Sequence, residues 1–320
     1  MDVMRECGFD QKIKRDLKNI MGVTERLNSS YLYASTDDGG LGLLPALDDY
    51  HIQRVVAAFR CLISDDEFIR KLAQHHLILS ASKARESNTD LQLSLAWLSN
   101  LTAEDRPSRK PTTWWASIRR ATAFLATTYG LRVHFYELNS KIELSLTFNG
   151  PEPTIFKFNE ENSTTLCKVL HNICHKHYFI KWRNCTSQGL NSHALSLSKQ
   201  SNKLIINGCL PISEWKFSIR ARNNLLSLQY SPHRYTARDE NGNPVPLGCR
   251  RCAHPRESQS HVLNQCPYTK ALWINRHDSI LEVTVEFLRS NGIECTVESS
   301  YPDVLPPLEP DITVTDRIKK

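Results

Sequence analysis

The sequence predicts a mostly helical protein of the α+β class, and three observations support this prediction. Apolar residues recur at spacings of three and four over much of the chain, which is typical of amphipathic helices. Residues 131–159 instead alternate between apolar and polar side chains, as half-buried strands do. Between Cys249 and Cys266, the Cys and His residues have the spacing of a metal site. A length of 320 residues, 40% hydrophobic and 23% charged, suits two or three globular domains and excludes a wholly disordered chain.

The first 130 residues have the clearest helical periodicity. Asp10 can cap a first helix, and Asp48 or Asp49 can cap a second. The segment 36–43 between them holds three glycines, which predicts a tight turn, and we interpret Asp37 and Asp38 as turn residues. The polar segment 102–111, which contains prolines, is predicted to be a linker. The predicted helices of this region cover residues 10–21, 48–63, 64–79, 90–99 and 113–129.

The remainder of the chain mixes strands and helices. The alternation within 131–159 predicts two or three strands, with Asn139 and Ser140 at a turn between them. Two short strands are predicted over 293–297 and 311–315. The last long helix should stop at Gly292, because glycine readily adopts the left-handed conformation that ends helices. The predicted helices of this part cover residues 164–182, 211–226 and 268–290.

Composition restricts the classes of function. No signal peptide and no long apolar stretch is present, so the sequence predicts a nuclear or cytoplasmic chain that is not secreted and has no membrane partner. The ten cysteines are mostly scattered, which favours a reducing compartment with one metal site over a disulfide framework. Neither a dinucleotide-binding glycine motif nor a P-loop occurs. The sequence does not indicate any protein partner.

The strongest chemical signal is the motif Cys249-x2-Cys252-x8-His261-x4-Cys266. Three thiolates and one imidazole form a closed tetrahedral ligand set for Zn²⁺. His254 is a competing ligand, but only one residue separates it from Cys252. Three cysteines that are close by chance are the alternative interpretation.

A second cluster of Cys and His residues falls within the predicted helix 164–182. Apolar residues are interleaved with it, so we interpret the cluster as part of a helix with buried Cys and ordinary His, while a metal site stays open as the alternative. Its members are Cys167, His171, Cys174, His175 and His177.

Basic residues are concentrated around the Cys–His motif. Residues 214–276 contain ten Lys and Arg but only four acidic residues, one of which is Glu257, so their net charge of +6 equals that of the whole chain. Arginine forks match phosphate oxygens, and the aromatic residues of this stretch can stack on bases, so the segment predicts binding to RNA or DNA. The predicted contacts are Lys216, Arg220, Arg222, Arg250, Arg251 and Arg256.

Five motifs, in this order, resemble the reverse transcriptases of non-LTR retrotransposons. The first two are the glycine-rich turn at 38–43, followed by Asp-Tyr-His-Ile at 49–52, and the segment Ile-Arg-Ala-Arg-Asn-Asn-Leu-Leu at 219–226. The third is the Cys–His motif, which is similar to the CCHC zinc knuckle of that family. The last two are Arg276-His277-Asp278 and Pro310-Asp311, which resemble elements of its restriction-enzyme-like endonuclease.

This resemblance implies a division into four regions. Residues 1–130 would form a helical, thumb-like region that follows the polymerase palm, and 131–210 a linker with strands and a helix. Residues 211–270 would hold the basic helix and the zinc knuckle, and 271–320 the start of a truncated endonuclease.

The resemblance also implies a function. The chain would be a zinc-dependent RNA- and DNA-binding segment that supports target-primed reverse transcription in the intact protein, with element RNA and target DNA as partners. Asp311 would be the first endonuclease carboxylate, with His277 and Asp278 beside it and Asp303 as a rival. Mg²⁺ is expected only for the intact enzyme, because Asp316 and Lys319 lack the spacing that would complete the site. This chain alone is therefore expected not to cut. It is also expected not to polymerise, because Asp37 and Asp38 are interpreted as turn residues of a thumb-like region and not as palm carboxylates. The alternatives are a non-catalytic zinc-knuckle protein that binds nucleic acid and a decayed element remnant.

Overall fold

The computed structural model of the chain describes residues 8–23, 27–101, 113–148, 154–208, 210–230, 237–297 and 311–314. It confirms the mostly helical α+β class. Two compact units are present, an N-terminal unit of Met1–Asn223 and a C-terminal unit of Asn224–Lys320. The predicted linker 102–111 and the residues Asp303, Pro310, Asp316 and Lys319 lie outside the described residues.

The N-terminal unit consists of helices and one small sheet. Its helices are α1 (Phe9–Ile20), α2 (Ser29–Tyr33), α3 (Ala46–Leu62), α4 (Glu67–Arg85), α5 (Leu91–Leu98), α6 (Trp114–Tyr129), α7 (Leu166–Arg183), α8 (Ser192–Leu197), α9 (Lys199–Ile206) and α10 (Ile212–Arg222). Its strands are β1 (Leu131–Leu138), β2 (Lys141–Phe148) and β3 (Thr154–Phe158). None of the described helices of the chain is long and apolar enough to span a membrane.

Several helices of this unit begin at a side chain that accepts hydrogen bonds from their first turn. Asp66, Asp90 and Thr113 do so for α4, α5 and α6. At the other end of α6, Gly130 adopts a left-handed conformation with φ of 66° and ends the helix. Local sequence therefore decides where these three helices begin.

Asp10 caps a different helix from the one we predicted. It lies inside α1, and its carboxylate accepts hydrogen bonds from the backbone N–H groups of Ala46 (2.8 Å) and Leu47 (3.3 Å) at the start of α3. Asp48 and Asp49 lie in the first turn of α3 and do not precede it. The predicted caps of both helices are therefore wrong, because the free N–H groups of a helix start need only a nearby acceptor, and tertiary packing supplies one from another helix.

The predicted strands form an antiparallel sheet in the order β1-β2-β3. Val133 pairs with Leu146 and Phe135 with Leu144, and these four side chains are buried on one face of the sheet. The tight turn between β1 and β2 is made by Asn139 and Ser140, both with positive φ. The alternation in the sequence therefore reports one buried face, as expected for a sheet covered on one side by helices.

A single hydrophobic core crosses the boundary that we predicted at residues 130 and 131. It extends from Ile52 in α3 through α6 and the sheet to Cys174 in α7. The predicted boundaries at 130, 210 and 270 thus differ from the division into compact units, which falls between Asn223 and Asn224. The change from helical to strand periodicity marks a change of element here, because helices and strands share one core.

The described part of the C-terminal unit has little apolar interior. Its helix α11 (Lys270–Ser290) is followed by the antiparallel pair β4 (Cys295–Val297) and β5 (Ile312–Val314), and Gly292 follows the helix with φ of 74°. These elements match the predicted helix end and short strands. Among the described residues of this unit, only four are buried: Glu257, His261, Cys266 and Val285. Two of the four belong to the Cys–His motif, so this motif forms the centre of the unit.

Candidate metal centre and nucleic-acid interface

The structure brings together all four residues of the Cys–His motif. The ligand atoms of Cys249, Cys252, His261 and Cys266 all lie within 4.8 Å of one another. Cys266 Sγ is 3.9 Å from each of the other two sulfurs, and Cys252 Sγ is 3.3 Å from His261 Nε2. A tetrahedral zinc site with ordinary bond lengths would separate two sulfurs by about 3.8 Å, and a sulfur from a nitrogen by about 3.5 Å. The residues therefore form a Cys₃His cluster that can bind a metal ion such as zinc.

Two local backbone turns position the ligands. In the first half of the cluster, the Cys249 N–H donates to the carbonyl oxygen of His254 (2.9 Å), which closes the chain around Cys252. In the second half, a five-residue π-helical turn starts at His261, and the Cys266 N–H donates to the His261 carbonyl oxygen (2.7 Å). Hydrogen bonds between nearby residues thus hold both half-sites, which is why their spacing is visible in the sequence.

The surroundings of His261 and Cys266 favour the protonation states that metal binding requires. Burial lowers the pKa of His261, whose residue is 2% exposed, and so favours the neutral imidazole. Burial alone would raise the pKa of the Cys266 thiol, but hydrogen bonds from the Tyr268 backbone and the Cys249 side chain outweigh it and hold this pKa below its ordinary value. At Cys252, a backbone hydrogen bond from His254 lowers the thiol pKa, but burial and the neighbouring thiols outweigh it and raise this pKa. A neutral imidazole and thiolates are the forms that bind metal ions.

His254, the competing ligand in the sequence, lies beside the cluster. Its ring stacks on that of His261, with centroids 4.1 Å apart and an interplanar angle of 12°. Its Nδ1 lies within hydrogen-bonding distance of the backbone of Arg256, 3.2 Å from the nitrogen and 2.8 Å from the oxygen. The structure therefore places His261 in the ligand set and His254 next to it.

The second Cys–His cluster does not converge on one point. His171 Nε2 contacts Asp49 Oδ1 (2.9 Å), whereas His175 Nδ1 contacts the carbonyl oxygen of Tyr33 (2.7 Å). Cys174 is buried in the core of the N-terminal unit. These residues have different structural partners, in agreement with their interpretation as part of an ordinary packed helix.

Arg222, one of the predicted nucleic-acid contacts, has internal partners. Its Nη1 donates to Asn202 Oδ1 (2.7 Å) and its Nη2 to the Ser201 carbonyl oxygen (2.9 Å). The buried side chain of Asn202 also donates to the Asp37 carbonyl oxygen (3.2 Å) in the glycine-rich turn. Gly39 of this turn lies so close to Asn202 that a β-carbon at its position would be only 3.3 Å from Asn202 Oδ1. Arg222 is thus connected through Asn202 to this turn, so its guanidinium has structural partners.

Arg250 also has internal partners. Its Nε lies 3.0 Å from both carboxylate oxygens of Glu257, and its Nη2 donates to the Ser227 carbonyl oxygen (3.2 Å). Burial alone would raise the pKa of Glu257, but hydrogen bonds from Arg250 and from the Gln229 N–H hold it below its ordinary value. The Nε and Nη2 donors of this guanidinium are therefore used by internal acceptors, although the side chain is 55% exposed.

Arg251 and Arg256 are exposed like Arg250, but their guanidinium groups stack on tyrosine rings. The guanidinium of Arg251 lies over the ring of Tyr268 at 4.9 Å from its centroid, and that of Arg256 lies over Tyr230 at 5.2 Å. Tyr268 is itself 65% exposed. An arginine stacked on a tyrosine keeps outward-facing N–H donors for phosphate oxygens. The remaining predicted contacts, Lys216 and Arg220, are half-buried on α10.

The three predicted endonuclease residues meet at the surface of the C-terminal unit. His277 Nδ1 lies 3.1 Å from Asp278 Oδ1, and its Nε2 lies 3.3 Å from Asp311 Oδ1. All three side chains are at least 42% exposed. The arrangement is an imidazole between two carboxylates, which can hold a proton.

We expect the pKa of His277 to lie above the ordinary histidine value, because Asp278 and Asp311 both stabilise the imidazolium. Since the folded-state pKa is raised, the ion pairs stabilise the folded state at low pH, and this contribution is lost as the pH rises through the folded-state pKa. NMR titration of the His277 ring should show the raised midpoint. Asp278→Asn and Asp311→Asn should each lower it, the former more. A midpoint unaffected by Asp311→Asn would contradict the observed contact.

Two residues of this region were not recognised from the sequence as structurally important. Glu257 was counted only as one of four acidic residues in a basic stretch, and Asn202 was not singled out. Neither carries a clear local signal, because each has a partner that is distant in sequence: Gln229 lies 28 residues from Glu257, and Asp37 lies 165 residues from Asn202. The one feature of the sequence that could have drawn attention to Glu257 is its position as an isolated acidic residue between two metal ligands.

Comparison with known proteins does not assign the chain to a family. No protein-family model matches the chain, and no curated protein matches it.

Proposed function

We propose that the chain is a nucleic-acid-binding segment whose C-terminal unit is organised by one Zn²⁺ ion. The observation that carries this proposal is the convergence of the Cys₃His cluster, together with two exposed arginines, Arg251 and Arg256, that lie between its residues in the sequence. Zinc held by four protein ligands has no open coordination position, so its contribution is structural. The ion would fix the turns from which both arginines project.

The ligand we propose is RNA or single-stranded DNA. The exposed ring of Tyr268 offers a stacking surface for a base, and Arg251 and Arg256 offer donors to phosphate oxygens. Aromatic and basic groups at one surface are typical of proteins that bind single strands without a strict sequence requirement.

The resemblance to non-LTR retrotransposon reverse transcriptases supports a more specific proposal. The chain would be part of such a polyprotein, would bind element RNA and target DNA, and would leave polymerisation and cleavage to the intact protein. Asp311, His277 and Asp278 would then contribute to its endonuclease. Their proximity agrees with this assignment but supports equally well a surface ion pair of a protein that only binds nucleic acid.

Removal of the metal is the direct test of the proposed function. We expect the zinc-loaded full chain to bind a single-stranded RNA of about 20 nucleotides, and we expect at least a tenfold loss of affinity after chelation, because the turns that carry Arg251 and Arg256 lose their support. Fluorescence anisotropy measures both affinities, and added Zn²⁺ should restore binding. Equal binding by metal-free and zinc-loaded chains would contradict the proposal.

A further inference from the structure

A buried carboxylate lies beside the Cys₃His cluster without being one of its ligands. Glu257 is 3% exposed. Its Oε2 accepts a hydrogen bond from the Gln229 N–H (2.7 Å), its Oε1 accepts one from the Arg250 N–H (3.3 Å), and Arg250 Nε lies 3.0 Å from both oxygens. Burying a carboxylate is costly unless it is paired and hydrogen-bonded, and here both conditions are met.

The partners of Glu257 belong to separate stretches of the C-terminal unit. Arg250 lies between the two ligands of the first half-site, so the hydrogen bond from its N–H restrains that turn directly. The main chain of Glu257 adds two contacts: its N–H donates to the Leu247 carbonyl oxygen (2.9 Å), and its own carbonyl accepts from the Tyr230 N–H (3.2 Å). One residue thus connects the segments 229–230 and 247–250.

We infer that Glu257 is a positioning residue for the metal centre: it holds the Cys249–Cys252 turn in ligand geometry and joins it to residues 229–230. This inference rests on the proposed zinc site. Groups that orient metal ligands typically change metal affinity by 10–100-fold when they are removed. Arg250 takes part as the cation that neutralises the carboxylate.

The test uses Co²⁺, whose visible absorption reports thiolate ligands, bound to the full chain. Glu257→Gln has almost the same shape but lacks the charge, and we expect it to weaken Co²⁺ binding by 10–100-fold. At saturation its spectrum should equal that of the parent chain, since all four ligands remain. Glu240→Gln is the matched control, because it removes an exposed carboxylate from the same unit and should leave the affinity unchanged.

Arg250→Gln provides a second measurement that does not alter Glu257. If the two residues act as a pair, the double variant should bind Co²⁺ about as weakly as Glu257→Gln alone. Affinity of Glu257→Gln within twofold of the parent, or losses in the double variant that multiply, would overturn the inference. A parent chain that binds no Co²⁺ would instead refute the proposed zinc site.

Discussion

Replacing Cys249 by Ser is expected to remove the bound zinc and, with it, the folded state of the C-terminal unit. The described part of that unit buries only four residues, and two of them are the ligands His261 and Cys266. Such a small interior cannot offset the conformational entropy lost on folding, which amounts to roughly 1–2 kcal/mol per residue. Structural zinc in small fingers contributes about 10–16 kcal/mol at neutral pH, and this contribution requires the full ligand set.

Zinc content and thermal unfolding together measure this effect. The parent chain should contain one zinc ion and show two transitions, of which chelation abolishes one. Cys249→Ser should behave like the chelated parent, while the N-terminal unit, with its extended core from Ile52 to Cys174, should keep its own transition. Cys295→Ser is the matched control, because it makes the same chemical change in the same unit outside the cluster. Unchanged zinc content in Cys249→Ser would refute the ligand assignment.

The second large effect concerns the salt dependence of RNA binding. If four to six phosphates are neutralised, the logarithm of the affinity should fall with the logarithm of salt concentration at a slope of about −3 to −4 on single strands. Replacing both Arg251 and Arg256 by Gln should make this slope shallower by about 1.4, since each lost phosphate contact contributes about 0.7. Titrations at several salt concentrations measure the slope.

Arg222→Gln is the matched control for this prediction. It removes the same charge, but Arg222 donates to Asn202 and Ser201 inside the N-terminal unit. We therefore expect an unchanged slope together with a loss of about 1–3 kcal/mol in the free energy of unfolding of that unit. A slope that becomes shallower in Arg222→Gln, or stays constant in the Arg251 and Arg256 double variant, would place the interface elsewhere.

Interactions between residues close in sequence were predictable. The alternation at 131–148 predicted β1 and β2, and Gly292 predicted the end of α11, because periodicity and turn conformation depend on neighbouring residues. The Cys–His spacing predicted which four side chains converge, since each pair of ligands sits on one short turn. The same spacing argument left His254 open, and the structure places it in a stack on His261.

What the sequence by itself determined is the fold class, most of the elements and the composition of the Cys₃His cluster, because all three depend on periodicity or on short spacings. Only the tertiary structure decided the partners of the charged residues. Asp10 reaches a helix start 36 residues away, Arg222 reaches Asn202 across 20, and Glu257 reaches Gln229 across 28. No local pattern distinguishes an arginine that will contact phosphate from one that will be held inside. That difference depends on which distant oxygen folding brings within about 3 Å of its guanidinium.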